Sequence, residues 1–168
     1  IQYLINLIRI NGDICLLYRI REEHMSRKAA REVAMRLLYQ KDISSTYSMD
    51  ALSMMMDEFK IDKVDAEYID DVIYGADSNK SKIDEYIKRH VKGWRFDRIS
   101  KIDLAILRLA IYEMIYMDDI PYKVSINEAV ELAKLYGDEK SSSFINGVLG
   151  GFVRSEDFLN KLSGEDKQ

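Results

Sequence analysis

A long apolar segment lies between Asp103 and Tyr116, where Asp103, Arg108 and Glu113 are the only charged residues. A helix at the surface of a protein has a polar half, so this near-continuous apolar run predicts a helix that other helices surround. The internal charges, and the two aspartates that follow, make the segment too short and too polar to span a bilayer. We therefore expect a buried helix at the centre of the fold.

A second helix is predicted after Pro121, the only proline of the chain, because proline cannot continue the first helix. Ser125 and Glu128 have the spacing of a capping box, in which the two side chains satisfy backbone amides at a helix start. Apolar residues at helical spacing follow as far as Gly137, a residue type that commonly ends helices. The pattern predicts a helical hairpin at the centre of an all-α domain.

Apolar positions recur every three or four residues over most of the remaining chain, which is typical of amphipathic helices. Trp94, Phe96 and Ile99 lie in a connector, and we expect them to pack the two halves of the domain together. Further helices are expected to begin near Ser26, Asp50, Asp65, Lys82, Ser142 or Ser143, and Glu156.

These elements predict one domain over residues 25–162, with about seven helices in two small subdomains. The subdomains are expected around residues 26–90 and 94–162, and residues 163–168 form a polar tail. Scarce glycine and proline favour this helical class over a turn-rich β architecture.

Charge is unevenly distributed along the chain. The net charge is −4, yet residues 25–41 hold five cations against Glu32 alone, a local +4, and residues 42–168 carry −8. A basic end on an acidic body suggests a polyanion as one partner and a cationic molecule as another, although a solvated helix face would also explain the basic cluster. The lone Cys15 fits a reducing cytoplasm.

The basic residues and one aromatic share a helix. At about 100° per residue, Arg27, Lys28, Arg31 and Arg36 are predicted on the exposed half, and Tyr39 with them. Cations neutralise phosphates and aromatic faces can stack on unpaired bases, so this combination is by itself a weak signal for RNA binding.

Catalytic chemistry has little support in the sequence. Nucleophilic catalysis needs a base beside the nucleophile, and His90 is the only histidine after residue 24; we expect it to be a solvated surface residue. No clustered metal ligands and no phosphate-binding glycine motif occur. We expect neither an enzyme nor a cofactor.

Three segments resemble the NusB family of bacterial transcription antitermination factors. They are Asp103–Glu113, Pro121–Lys134 and Phe144–Leu149, and they match in order and spacing, within a resemblance that extends from about residue 26 to residue 152. The resemblance implies a NusB-like helical bundle and an adaptor that binds the boxA element of nascent RNA, without enzymatic activity.

The resemblance also implies site residues and partners. Asp103 matches an acidic position implicated in contact with NusE, a small-subunit ribosomal protein, although helix capping would explain it equally well. The RNA polymerase antitermination complex is the wider partner. The residues implied in RNA binding are Arg27, Lys28, Arg31, Tyr39, Lys140, Ser141 and Phe144.

Several of these assignments have structural alternatives or depart from the family pattern. Phe144 has the spacing of a core residue. Ala29 stands where some members have another arginine, and Lys140 stands where some have an acidic residue beside the RNA.

RNA binding through phosphate contacts should depend on salt. With four contacts to a single strand, a plot of the logarithm of affinity against the logarithm of salt concentration should have a slope of roughly −3.

The first 24 residues are expected to be a translated leader that is absent from the native protein. The family's proteins begin at Met25, and Arg21–His24 can be encoded by a purine-rich ribosome-binding sequence. The intact mass of the natively expressed protein tests this; a genuine N-terminal helix is the alternative.

Two other functions remain open from the sequence. One is the RNA-binding domain of a ribosomal RNA cytosine methyltransferase, which a stop codon after Gln168 would exclude. The other is a helical protein-interaction module that never contacts RNA.

Overall fold

The computed structural model describes residues 12–44 and 61–163, with side chains described over 27–44 and 61–162. These ranges form seven α-helices, a short 3-10 turn at Phe96–Arg98 and no strand, which confirms the predicted all-α class. The helices are α1 (Gly12–Ser44), α2 (Lys63–Ser78), α3 (Lys80–His90), α4 (Lys101–Tyr116), α5 (Tyr122–Tyr136), α6 (Ser141–Phe152) and α7 (Glu156–Ser163). None of them is long and apolar enough to cross a membrane.

Helix α4 lies at the centre of the described fold. It packs against α1, α2, α3, α5 and α6. Every residue from Asp103 to Ile111 is buried, including Arg108. This burial confirms that the near-continuous apolar run marks a helix surrounded by others, since no side of it is left for water.

The predicted capping box at the start of α5 is wrong. The helix begins at Tyr122 with Pro121 as its N-cap residue, and the Pro121 carbonyl accepts hydrogen bonds from the amides of Val124 and Ser125 at 2.8 and 3.3 Å. Proline suits a helix start because its φ is already helical and it has no amide hydrogen to satisfy. Ser125 therefore falls inside the first turns, where it is fully buried.

Other predicted helix starts need smaller or larger corrections. Ser26 is not a cap, because α1 is already helical from Gly12 and meets no glycine or proline before Ser44. Asp62 rather than Asp65 caps α2, and its Oδ1 accepts the Asp65 amide at 2.8 Å. The helix predicted from Asp50 lies outside the described residues.

The aromatic connector is only partly a packing element. Ile99 is buried and Phe96 is half-buried, as expected, but 55% of Trp94 is exposed. One continuous apolar cluster includes side chains from all seven helices. The division into two subdomains stays a prediction.

Candidate nucleic-acid interface

Most cations in residues 27–44, the part of α1 with described side chains, are already paired with acidic side chains of the protein. Their ion pairs, with N–O distances between 2.6 and 2.8 Å, are Arg27–Asp65, Arg31–Glu113, Arg36–Glu32 and Lys41–Asp77. The local excess of +4 that the sequence shows is therefore largely balanced within the fold. The cationic surface available to a phosphate is smaller than the composition suggests.

Arg31 does not lie on the exposed face, which corrects its predicted placement. Its side chain is 3% exposed, and Nε donates to Oε1 of the fully buried Glu113 at 2.8 Å. The Tyr68 hydroxyl donates to the same oxygen at 2.6 Å. Burial alone would lower the pKa of Arg31, but the Glu113 carboxylate outweighs it and the pKa is raised. Arg31 thus joins α1 to α2 and α4 instead of facing a ligand.

Arg27 lies at the edge of this buried network. Its Nε is 2.8 Å from Asp65 Oδ1, and the guanidinium lies 4.4 Å from the centroid of the Tyr68 ring. The side chain keeps 28% exposure, so part of the guanidinium remains open to solvent. A phosphate contact by Arg27 would have to compete with Asp65.

Lys28 and Tyr39 are the exposed members of the predicted set on α1. They are eleven residues apart, which places them within about 20° on the helix and roughly 16 Å along it. In the described part of the chain Lys28 forms no salt bridge. The pKa of Glu131 on α5 is lowered mainly by Lys134 and to a smaller extent by Lys28, so Lys28 lies near α5.

A polar contact joins α1 to the loop that precedes α6. Arg36 Nη2 donates to the Tyr136 hydroxyl at 2.8 Å, and Tyr136 is the last residue of α5. Lys140 follows four residues later, so its Cα lies within about 14 Å of that of Tyr136. The fold therefore brings the basic helix and the start of α6 to neighbouring surfaces.

Ser141 holds this loop in shape and is 2% exposed. Its Oγ accepts the Asp138 amide at 2.9 Å and donates to Asp138 Oδ1 at 3.2 Å. The Lys140 amide donates to the same carboxylate at 2.8 Å, and this bond is the main reason that the pKa of Asp138 is lowered. The Ser141 hydroxyl, a predicted RNA contact, is thus buried and already hydrogen-bonded within the loop, whereas the Lys140 side chain is exposed.

An open groove of about 320 Å³ adjoins Lys140. Phe144 is half-buried and packs on Trp94, with ring centroids 5.8 Å apart at an interplanar angle of 55°. Lys92, His90 and Gly147 also line the groove. Phe144 is therefore partly a packing residue, as its spacing predicts, and it also lines the groove; its contact with RNA stays a prediction.

Asp103 and His90 are less accessible than surface residues. Asp103 is 6% exposed in the first turn of α4, where Ser100 is the capping residue and accepts the Asp103 amide at 3.0 Å. Its contact with a protein partner stays a prediction.

His90 is half-buried and not the solvated surface residue that the sequence predicts. Its Nδ1 lies 2.7 Å from the Tyr86 carbonyl oxygen, and its ring packs nearly perpendicular to the Phe152 ring. In residues 27–44 and 61–162 no group of side chains could hold a metal ion.

The comparison with known families decides the identity. The NusB family model matches residues 28–154. The chain belongs to the NusB family. Similar curated proteins include the transcription antitermination protein NusB of Acetivibrio thermocellus, 51% identical over 77% of this chain and 90% of its own length. The corresponding protein of Bacillus licheniformis is 48% identical over 74% of this chain and 94% of its own length.

Solved NusB structures have the same fold. A structure of T. maritima NusB has a TM-score of 0.71 and 34% identity, and the match covers 82% of this chain and 96% of that one. A crystal structure of the antitermination factors NusB and NusE in complex with double-stranded RNA has a TM-score of 0.66 and 29% identity, covering 76% and 95%. Membership of this family confirms a transcription antitermination factor rather than an enzyme.

Six residues that line the groove were not predicted as site residues from the sequence, among them Lys92, Trp94 and Gly147. Lys92-Gly93-Trp94 combines a cation with an aromatic in a short connector, which is a weak signal for nucleic acid. The sequence could not show that Trp94 stays exposed beside Phe144, since the two residues are fifty positions apart and meet only through the packing of α3 on α6.

Proposed function

We propose that this NusB-family protein binds single-stranded boxA-type RNA together with NusE, and so supports antitermination by RNA polymerase in the cytoplasm. One observation carries the proposal. Exposed cations and solvent-accessible aromatics from distant segments of the chain lie on neighbouring surfaces. Lys28 and Tyr39 lie on α1, Lys140 and Phe144 lie at the start of α6, and the Arg36–Tyr136 hydrogen bond connects the two elements.

The electrostatics of this surface suit a polyanion. Lys28, Lys92 and Lys140 form no salt bridge among the described side chains, so each can approach a phosphate without breaking an ion pair. Flexible ammonium groups and aromatic faces bind single strands with little demand on duplex geometry. With three such cations, the slope of log affinity against log salt should be about −2, shallower than the roughly −3 that four contacts would give.

A second surface suits a cationic protein partner. An open groove of about 410 Å³ beside the exposed rim of Tyr116 is lined by four acidic side chains against the single cation Arg27; the acidic residues are Glu67, Asp71, Asp118 and Asp119, of which Asp118 is paired with Lys161. Complementary charge accelerates encounter and favours basic partners. A ribosomal protein such as NusE has this character, and the solved complex that pairs NusB with NusE and RNA supports the assignment at the family level.

A filter-binding titration tests the proposal. It would use boxA-type and scrambled single-stranded RNA, each with and without NusE, across a range of salt concentrations. We expect tighter binding to the boxA-type RNA and a further gain with NusE. Equal affinity for both RNAs would contradict the proposed specificity, and no RNA binding under any condition would leave a protein-interaction module.

Lys28→Ala should weaken binding and reduce the magnitude of the salt slope by about 0.7, because one phosphate contact is lost. Lys123→Ala is the matched control. Lys123 is also exposed and lies in the first turn of α5, roughly 20 Å from Tyr136 at the other end of that helix. A similar loss in both variants would show a general charge effect instead of a site.

A further inference from the structure

Gly147 is a helical glycine that the described packing does not require. It lies in the middle of α6, where glycine destabilises a helix by roughly 0.5–1 kcal/mol relative to alanine. Apart from its own helix backbone and chain neighbours, a Cβ atom there would meet no described atom within 4 Å. By contrast, a Cβ at Gly75 would lie 2.0 Å from the Tyr112 hydroxyl, so packing explains that glycine. Glycine at an open helical position is typical of a site where a ligand approaches the backbone closely.

The open side of Gly147 faces an aromatic wall. Gly147 lines the same groove as Trp94 and Phe144, whose rings are in contact. Trp94 is more than half exposed, although burying it would gain more than burying most side chains. It follows Gly93, whose φ of +76° is a conformation that other residues rarely adopt, so the connector is built to hold Trp94 in this position.

Cations stand at the rim of the groove. Lys92 and Lys140 are exposed and line the same groove as the aromatic pair, and no salt bridge in the described ranges involves them. A flat π-face, a bare backbone surface and flanking ammonium groups together fit one nucleobase with its neighbouring phosphates.

We propose that the groove between the 91–95 connector and α6 is a stacking pocket for one unpaired base of the bound RNA. The base lies over Gly147 and against Trp94 and Phe144, while Lys92 and Lys140 contact the flanking phosphates. This inference rests on the proposed RNA-binding function and assigns Trp94, Lys92 and Gly147 to its site.

Trp94 is the only tryptophan of the chain, so its fluorescence reports on the pocket directly. The probe is a boxA-type single-stranded RNA and a series of the same RNA in which one nucleotide at a time is abasic. We expect the wild-type emission to be quenched by the intact RNA. At one position the abasic RNA should bind roughly five-fold or more weakly and should leave the emission unquenched.

Gly147→Leu fills the pocket without removing any contact of the protein. Leucine is a better helix former than glycine, so the melting temperature should not fall. The affinity of this variant for the intact RNA should be as low as the affinity of the wild type for the critical abasic RNA. The variant should also bind the intact and the abasic RNA equally well. The matched control is Gly150→Leu on the same helix, whose Cβ would meet only the flexible Arg154 guanidinium, at 3.5 Å, and which should behave as the wild type.

Each outcome separates this pocket from the wider function. The wild type could bind RNA but show no critical abasic position, or bind it with unchanged Trp94 emission. Either result would overturn the pocket while leaving the proposed function intact. A lack of any RNA binding overturns both. Should Gly147→Leu fail to fold, Trp94→Ala replaces it, since an exposed side chain can be removed without leaving a cavity; wild-type affinity in that variant would also overturn the pocket.

Discussion

Neighbouring cations of one helix have different physical roles in this protein. Lys28 is exposed and forms no ion pair in the described structure, whereas Arg31, three residues later, is buried against Glu113. A buried arginine is stable there because the Glu113 carboxylate neutralises it; removing either charge would leave the other buried without a counter-ion. One cation thus serves packing, whereas its neighbour on the same helix is available to a ligand.

Arg31→Ala should lower the free energy of unfolding by about 3–5 kcal/mol, because Glu113 would remain buried without its cation. Urea unfolding followed by circular dichroism measures this. Lys28→Ala should stay within about 0.5 kcal/mol of the wild type, as expected for an exposed residue. An Arg31→Ala protein as stable as Lys28→Ala would contradict the buried pairing.

Lys140→Glu should weaken RNA binding and flatten its salt dependence. The exposed ammonium would be replaced by a carboxylate that repels the phosphates, and one counter-ion fewer would be released. The Asp138–Ser141 bonds that shape the loop use the Lys140 backbone and not its side chain, so the fold should be unaffected. Equal affinity and slope in both proteins, measured by filter binding, would refute this role.

At the scale of elements, close approach of helices depends on particular glycines. Helices α2 and α4 pack with Gly75 directly against the Tyr112 ring, whereas a Cβ at Gly151, where α6 packs on α3, would meet His90 at an ordinary 3.4 Å. A glycine at such a contact lets two helices come closer than a Cβ would permit. Glycines that face open space do not contribute in this way.

Alanine substitutions at two helical glycines should change stability in opposite directions. Gly75→Ala should destabilise the protein by about 1–3 kcal/mol, because Tyr112 must move out of a packed contact. Gly147→Ala should stabilise it by roughly 0.5–1 kcal/mol, because it removes backbone freedom from the unfolded chain without a clash. Thermal unfolding of both variants beside the wild type gives the two signs, and the same sign for both would contradict the packing described here.

For the whole molecule, a charged network joins α1 and α3 to α4. Arg108 donates to both oxygens of Asp84 at 2.7 and 3.0 Å and also donates to Asp42, while Lys80 donates to Asp42 at 2.6 Å. Burial by itself would raise the pKa of Asp42, but the hydrogen bonds from Lys80 and Arg108 outweigh it and the pKa is lowered. The Arg108–Asp84 pair joins α3 to the central helix, whereas the attachment of α1 to this network depends on an ionised Asp42.

The stability that Asp42 contributes should be lost in acid. Its folded pKa lies below its unfolded value, so the contribution is complete above the unfolded pKa of about 3.9 and disappears as the pH falls through the lower folded pKa. Asp42→Asn should therefore melt at a lower temperature than the wild type at neutral pH. The difference should shrink between pH of about 5 and about 2, and a constant difference over that window would contradict the ionised network.

Hydrophobic periodicity was sufficient to predict the helical class and the buried central helix. Along 103–116 few polar residues are present, so any helix built there has to be surrounded, whatever its neighbours are. Helix starts were predicted less well. Ser125 is a favourable cap residue, but that helix already begins at Tyr122, with Pro121 as its N-cap residue. Ser26 is also a favourable cap residue, but it lies within a helical segment that is uninterrupted from Gly12.

The tertiary structure decided which charges and aromatics can meet a ligand. Periodicity places Arg31 on a face of its own helix, but its partner Glu113 is 82 residues away, and only packing brings the two together. Likewise Trp94 and Phe144 form one wall only because α3 packs on α6. Local pattern fixes the faces of a helix, whereas exposure is fixed by what covers each face, and that depends on contacts between residues far apart in the chain.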